Sequence, residues 1–81
     1  MNKMTFIAFV YDKNHNGKHD YIDFQRWGYK RVMTVKRKML LLCEKFNFSQ
    51  YYGKVCEIYA TPDGYNHDKA PSLVFDFPQK Q

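Results

Sequence analysis

The chain has 81 residues, of which 13 are Lys or Arg and 8 are Asp or Glu, so its formal net charge is +5. This length allows a single domain, residues 1–81, and a chain so short buries only about 60% of the surface that it exposes when unfolded. A deep site that excludes water is hard to enclose in so small a core, which favours a binding protein over an enzyme. Aromatic residues make up 19% of the chain, a share that argues against intrinsic disorder.

Two features favour a cytoplasmic protein. No apolar run is long enough to cross a membrane, and the first residues do not have the pattern of a cleavable signal peptide. The two cysteines, Cys43 and Cys56, are too few for a disulfide scaffold. We therefore expect both to be small buried hydrophobic residues with reduced thiols.

The first predicted element is a strand at residues 4–11, MTFIAFVY, in which both alternating faces are apolar. A strand that is apolar on both sides lies in the centre of a sheet or is covered on both faces. The polar segment that follows, residues 12–20, contains Asn16-Gly17, a strong turn signal.

A long amphipathic helix is predicted next, beginning near Tyr21 or Asp23 and ending near Asn47. Asp20 or Asp23 is placed to cap or charge its first turn. Gly28 lies inside it, at a cost of about 1 kcal/mol relative to Ala. The apolar side chains recur every three or four residues, as on one face of a helix: Val32, Val35, Met39, Leu42, Cys43 and Phe46.

Two alternating strands are predicted at residues 54–60 and 72–77, with a long turn between Pro62 and Pro71. The predicted fold is therefore α+β, a small three-stranded sheet in β-α-β-β order with one long basic amphipathic helix on one face. One helix covers only one face of a sheet. The apolar side chains of the other face are either covered by the tails and the 61–71 loop or form an interface, such as that of a homodimer.

The polar segment after the first strand continues to residue 23 and reads DKNHNGKHDYID over residues 12–23. Asp and Asn side chains alternate at its start, and Gly17 is its sixth residue. This pattern resembles the calcium loop of EF-hand and dockerin modules, in which a sixth-position Gly allows a sharp turn. The resemblance implies a calcium site with ligands at the first, third, fifth, ninth and twelfth positions: Asp12, Asn14, Asn16, Asp20 and Asp23. No other cofactor is predicted.

The segment departs from the pattern of that family in several respects. His19 is at the eighth position, where the family has an aliphatic residue, and the twelfth residue is Asp23, where many EF-hands have Glu. A strand precedes the loop instead of a helix. The residues also allow a simpler interpretation, in which Asn16-Gly17 forms a turn and the Asp residues cap the helix.

The positive charge is concentrated in the predicted helix. Residues 26–45 contain seven basic residues and one acidic residue, Glu44, which gives +6 and leaves −1 for the remainder of the chain. A basic helix beside aromatic residues suits phosphate contacts with base stacking, or an acidic protein groove, although a run of charge is usually only a solvated face. The residues predicted to bind a partner are Arg26, Trp27, Tyr29, Lys30, Arg31, Lys36, Arg37, Lys38 and Lys45.

We therefore predict a non-catalytic binding protein whose partner is nucleic acid or an acidic or nucleic-acid-binding protein. Short, basic, aromatic-rich chains without an enzyme motif are common in bacteriophages and mobile elements. That class includes inhibitors of host systems that target nucleic acid, such as CRISPR nucleases, and an inhibitor of this kind is one prediction for the chain. The alternative prediction is a calcium-binding structural module. No motif pairs a nucleophile with a base, so no enzymatic activity is predicted.

Overall fold

The computed structural model describes residues 4–17, 19–61 and 70–80. The elements of these residues are, in chain order, β1 (Met4–Tyr11), β2 (Tyr21–Tyr29), α1 (Val32–Lys45), a 3-10 turn (Ser49–Tyr51), β3 (Val55–Thr61) and β4 (Leu73–Asp76). The strands form one antiparallel sheet in the order β2-β1-β3-β4. α1 packs across one face of this sheet.

The prediction of a three-stranded sheet with one long helix is wrong. Residues 21–29, predicted as the first turns of the helix, form β2, and Asn16-Gly17 lies in the hairpin loop that joins β1 to β2. The helix α1 begins only at Val32 and has 14 residues. Aromatic residues are frequent in 21–29 and Gly28 weakens a helix, so pairing with β1 suits this segment better than helix formation.

The other predicted elements lie close to the observed ones. β1 has the predicted bounds and lies between β2 and β3, the central position that its two apolar faces indicate. β3 and β4 each begin one residue later than predicted, and α1 ends two residues before Asn47. The two cysteines, Cys43 and Cys56, are buried and free, as expected. Within the described residues, no helix has the length and apolar character needed to span a membrane.

The main core lies between α1 and the sheet. α1 contributes Val35, Met39 and Cys43, which recur every fourth residue and form one buried stripe. Burying one large aliphatic or aromatic side chain contributes about 1.5–3 kcal/mol. Phe46, predicted to extend the stripe, is 62% exposed because the helix ends at Lys45. The sheet and the segments around it contribute Phe6, Ala8, Val10, Tyr51, Cys56, Ile58, Phe75 and Phe77.

The sheet face opposite α1, which we call the open face, carries a second buried cluster. Its members are Ile7, Phe9, Tyr11 and Tyr59. Phe24 continues the cluster on β2, with its ring centroid 6.0 Å from that of Phe9, and is 45% exposed. Residues 62–69 of the loop predicted to cover this face lie outside the described residues. The homodimer through the open face stays a prediction.

Candidate functional site

The nine residues predicted to bind a partner come from two elements and the connection between them. β2 carries Arg26, Trp27 and Tyr29, the connection is Lys30 and Arg31, and α1 carries Lys36, Arg37, Lys38 and Lys45. They do not share one face. Arg26 is paired with Ile7 and lies on the open face, whereas Trp27 is paired with Phe6 and lies on the α1 side. Arg26 is therefore separated by the sheet from Trp27, Tyr29 and the four basic residues of α1.

The basic side chains of α1 are distributed around its buried stripe. Successive helical residues are about 100° apart, so Lys36 and Lys38 lie on either side of Val35, while Arg37 points away from the sheet. The Nζ of Lys36 lies 5.4 Å from the centre of the Phe75 ring, on β4 at one edge of the sheet. Lys38 therefore lies on the other side of α1, facing β2 at the opposite edge.

Trp27 and Tyr29 form a stacked pair on the α1 side of β2. Their ring centroids are 6.0 Å apart, and the angle between the ring planes is 24°. The Nε1 of Trp27 donates a hydrogen bond of 3.3 Å to the Sδ of Met39, a fully buried residue of α1. Both rings pack against the core and are half-buried. The indole is thus held in place by the core while part of it remains accessible at the surface.

We use the name basic–aromatic surface for this pair together with the basic residues of the β2–α1 connection and of the N-terminal half of α1 that do not contact β4: Trp27, Tyr29, Lys30, Arg31, Arg37 and Lys38. The N-cap of α1, Arg31, makes no side-chain capping hydrogen bond, and the first turn contains no acidic residue. The first N–H groups of the helix and the helix dipole therefore add to the positive charge at this end of α1. Among the described residues, the salt bridge of Lys54 with Asp12 and the contact of His15 with Glu57 lie at the hairpin-loop end of the sheet instead.

The predicted calcium ligands are divided between the hairpin loop and β2. Asp12 Oδ1 lies 3.4 Å from Lys54 Nζ, and Asp23 in β2 accepts a hydrogen bond from the hydroxyl of Tyr51. The other three lie in the hairpin loop: Asn14, Asn16 and Asp20. The part of the chain that is described contains no group of three or more His, Cys, Asp or Glu side chains able to hold a metal ion. An EF-hand loop leads into a helix and this one leads into a strand, so Asp20 and Asp23 cap no helix here. Calcium binding stays a prediction.

A polar cluster that the sequence did not indicate connects β2 to the 3-10 turn. The buried Tyr51 hydroxyl donates to Asp23 Oδ2 and accepts a hydrogen bond of 3.3 Å from Gln25 Nε2. Burial, and after it the hydrogen bond to Asp23, raises the pKa of Tyr51 far above its usual value. The phenol is therefore neutral under ordinary conditions, and its role is to hold β2 against the segment that follows α1.

A second polar cluster holds the hairpin loop against β3. The Nε2 of His15 lies 3.4 Å from Glu57 Oε2, and the hydroxyl of Tyr59 donates to Glu57 Oε1 at 2.8 Å. The ring of His15 stacks on Tyr11 with centroids 4.0 Å apart. These contacts fix the base of the loop and place the carboxylate of Glu57 on the open face, away from the basic–aromatic surface.

An open groove of about 500 Å³ lies at the C-terminal end of α1. Its lining combines both signs of charge with an aromatic ring: Glu44, Lys45, Tyr52, Pro78, Gln79 and Lys80. The N–H of Gly53, in the left-handed conformation with φ 74°, donates to the carbonyl of Pro78 at 2.9 Å and holds the tail in place. Lys45 thus belongs to this groove, at the far end of α1 from Lys30 and Arg31.

Comparisons with known proteins give no match: no family model, no characterised protein and no solved structure is similar to this chain. Function is therefore inferred from the charge and geometry of the chain's own residues. Among these residues, the basic–aromatic surface combines cationic side chains, which bind anionic groups, with aromatic rings, which stack on planar groups. The groove is lined by side chains of both charges. The polar groups of the two clusters are paired with one another inside the protein.

Proposed function

We propose that this protein binds nucleic acid through the basic–aromatic surface. The proposal rests on one observation, the stacked Trp27–Tyr29 pair on an edge strand that leads directly into Lys30 and Arg31. Lys and Arg neutralise backbone phosphates, and aromatic rings stack on bases. Either group alone is common on protein surfaces. Their combination on one edge of a small domain favours nucleic acid as the ligand.

The distribution of charge supports the same conclusion. Seven of the 13 basic residues lie between residues 26 and 45, and four of those seven are on α1. Most acidic side chains of the described residues lie elsewhere, with Asp12 and Asp20 at the hairpin loop and Glu57 on the open face. On the α1 side, Asp23 is hydrogen-bonded to Tyr51, and Glu44 lies in the last turn of α1. An uneven distribution of this kind produces a positive potential over one surface, which attracts polyanions and accelerates their association.

Non-catalytic binding is sufficient for a chain of this size. The described residues supply a surface rather than an enclosed cavity at the basic–aromatic site, and a surface is what a polyanion needs. One function of a small nucleic-acid-binding protein is to inhibit a host system that targets nucleic acid, and for this chain that function stays a prediction.

The test is binding of a fluorescently labelled oligonucleotide of mixed sequence, measured by anisotropy between about 50 and 200 mM salt. Four phosphate contacts, from Lys30, Arg31, Arg37 and Lys38, give a slope of log K against log salt of about −3. We expect binding at low salt with a slope of this size. The absence of binding at the lowest salt concentration would refute the proposal. Competition by polyglutamate at equal charge would favour an acidic protein as the partner.

A further inference from the structure

We propose that the ligand is a single strand, and that the unpaired bases stack on the Trp27–Tyr29 pair. This inference depends on the nucleic-acid binding proposed above and specifies its substrate class. It starts from the stacked geometry of the two rings, 6.0 Å between centroids and 24° between planes, on a strand at the edge of the sheet.

The ring pair is fixed before any ligand arrives. The hydrogen bond from Trp27 Nε1 to Met39 Sδ joins the indole to a residue that has no solvent exposure. Trp27 and Tyr29 are two residues apart on one strand, so their side chains leave the same face of β2. A rigid aromatic pair loses little conformational entropy when a base stacks on it, and this favours binding.

Basic residues follow the rings in the chain and lie on the neighbouring helix. Lys30 and Arg31 follow Tyr29 directly in the chain, and Lys38 occupies the side of α1 that faces β2. A single strand that crosses the ring pair can therefore place phosphates beside these cations while one of its bases covers a ring. This is the combination of groove charge and stacking that proteins use to bind single strands without strict sequence preference.

A duplex contacts the cations of this surface but not its rings. Its bases are stacked on each other and present only their edges in the grooves, so the rings have no base face to contact. The cations still contact its phosphates. Stacking on one base changes the affinity by roughly five- to 150-fold. We therefore expect a single strand to bind at least about fivefold more tightly than a duplex of the same length and sequence.

Trp27 is the only tryptophan in the chain, so its emission reports on the ring pair directly. The experiment measures affinity by anisotropy and tryptophan emission in the same titration, once with a single-stranded oligonucleotide and once with its duplex. We expect the single strand to quench Trp27 as it binds, and the duplex to bind more weakly without quenching. A matched pair of variants completes the test. Tyr29→Leu removes the second ring and should weaken single-strand binding about tenfold, while Tyr29→Phe keeps the ring and should bind as the unchanged protein does.

The outcomes separate this inference from the proposed function. Equal affinity for both forms, with Trp27 emission unchanged, would overturn the single-strand inference and leave nucleic-acid binding intact. Failure of both oligonucleotides to bind would remove the proposed function as well. Displacement of the strand by polyglutamate, with the same quenching of Trp27, would replace the nucleic acid with an acidic protein. If Tyr29→Leu does not fold, the comparison of single strand and duplex on the unchanged protein still decides between these outcomes.

Discussion

Reversal of two charges on α1 is the most direct perturbation of the proposed interface. Arg37 points away from the sheet and Lys38 faces β2, and neither belongs to the buried stripe of Val35, Met39 and Cys43. Replacing both by Glu therefore changes the surface potential and leaves the core unchanged. The new carboxylates lie in the N-terminal half of the helix, where negative charge does not oppose the helix dipole.

The size of the effect follows from the two phosphates that the variant no longer neutralises. Two unit charges 4 Å apart in water attract each other by about 1 kcal/mol, so removing both cations costs about 2 kcal/mol, and the added repulsion increases this value. Each 1.4 kcal/mol corresponds to tenfold in affinity. We expect binding to weaken at least tenfold. The slope of log K against log salt should also become less steep, by about 0.7 for each phosphate of a single strand that is no longer neutralised.

The assay is anisotropy titration of the double variant Arg37→Glu and Lys38→Glu at several salt concentrations. Its matched control is Lys13→Glu with Lys54→Glu, which changes the net charge by the same amount at the hairpin-loop end of the molecule. The control should retain most of the affinity, because these two residues lie away from the basic–aromatic surface. It should also remain folded, because surface salt bridges such as Lys54 with Asp12 contribute little to stability. Circular dichroism and melting curves show whether both variants are folded.

Two results would refute this reasoning. If the variant and the unchanged protein bind equally at every salt concentration, α1 is not part of the interface. If the control loses as much affinity as the variant, the ligand responds to the total charge of the protein rather than to the basic–aromatic surface.

Three further predictions concern stability. The calcium hypothesis predicts that millimolar calcium raises the melting temperature by about ten degrees relative to chelator, and that Asp12→Ala removes the rise; coincident curves would contradict it. Met39→Ala should lower the free energy of unfolding in urea by about 2–5 kcal/mol, because it leaves a cavity in the core and removes the acceptor for Trp27. Tyr51→Phe should cost about 1–3 kcal/mol by leaving Asp23 without its hydroxyl donor. Folding raises the pKa of Tyr51 above its unfolded value of about 10, so the stabilisation from its protonated hydroxyl is complete below that pH and declines above it. Between neutral and strongly alkaline pH, Tyr51→Phe should therefore lose less stability than the unchanged protein does.

The sequence indicated the central strand well and the edge strand poorly. β1 is apolar on both faces, a pattern that has few alternatives, and its predicted bounds are correct. The pairing of β2 is irregular, because Val10 lies opposite Asp23 and Tyr11 opposite Tyr21, which leaves Ile22 without a partner of its own. This irregularity interrupts strict alternation and makes the segment hard to identify as a strand. The Asn16-Gly17 signal between two aromatic-rich segments is typical of a hairpin and is the information that identifies β2.

The candidate site was predictable only in part. Residues adjacent in the chain, from Trp27 to Arg31, lie together whether they belong to a helix or to a strand and its connection. The position of Arg26 depends on the type of element, because alternate residues of a strand face opposite sides, and this is why it lies on the open face. The cluster of Tyr51 with Asp23 joins side chains 28 residues apart. No local pattern in the sequence encodes that contact.

The central position of β1 affects the folding of the chain during synthesis as well as the stability of the sheet. Its pairs with β2 span 10 to 25 residues, from Tyr11–Tyr21 to Met4–Tyr29, whereas its pairs with β3 span 44 to 56, from Tyr11–Val55 to Thr5–Thr61. Contacts so distant in sequence form slowly. During synthesis the second edge of β1 therefore has no partner until residues 55–61 exist. Its sequence, MTFIAFVY, contains no charge, Pro or Gly, which is the composition of segments that aggregate when exposed. Chains that terminate before β3 should accumulate as insoluble material, and slower translation through β3 should lower the yield of folded protein.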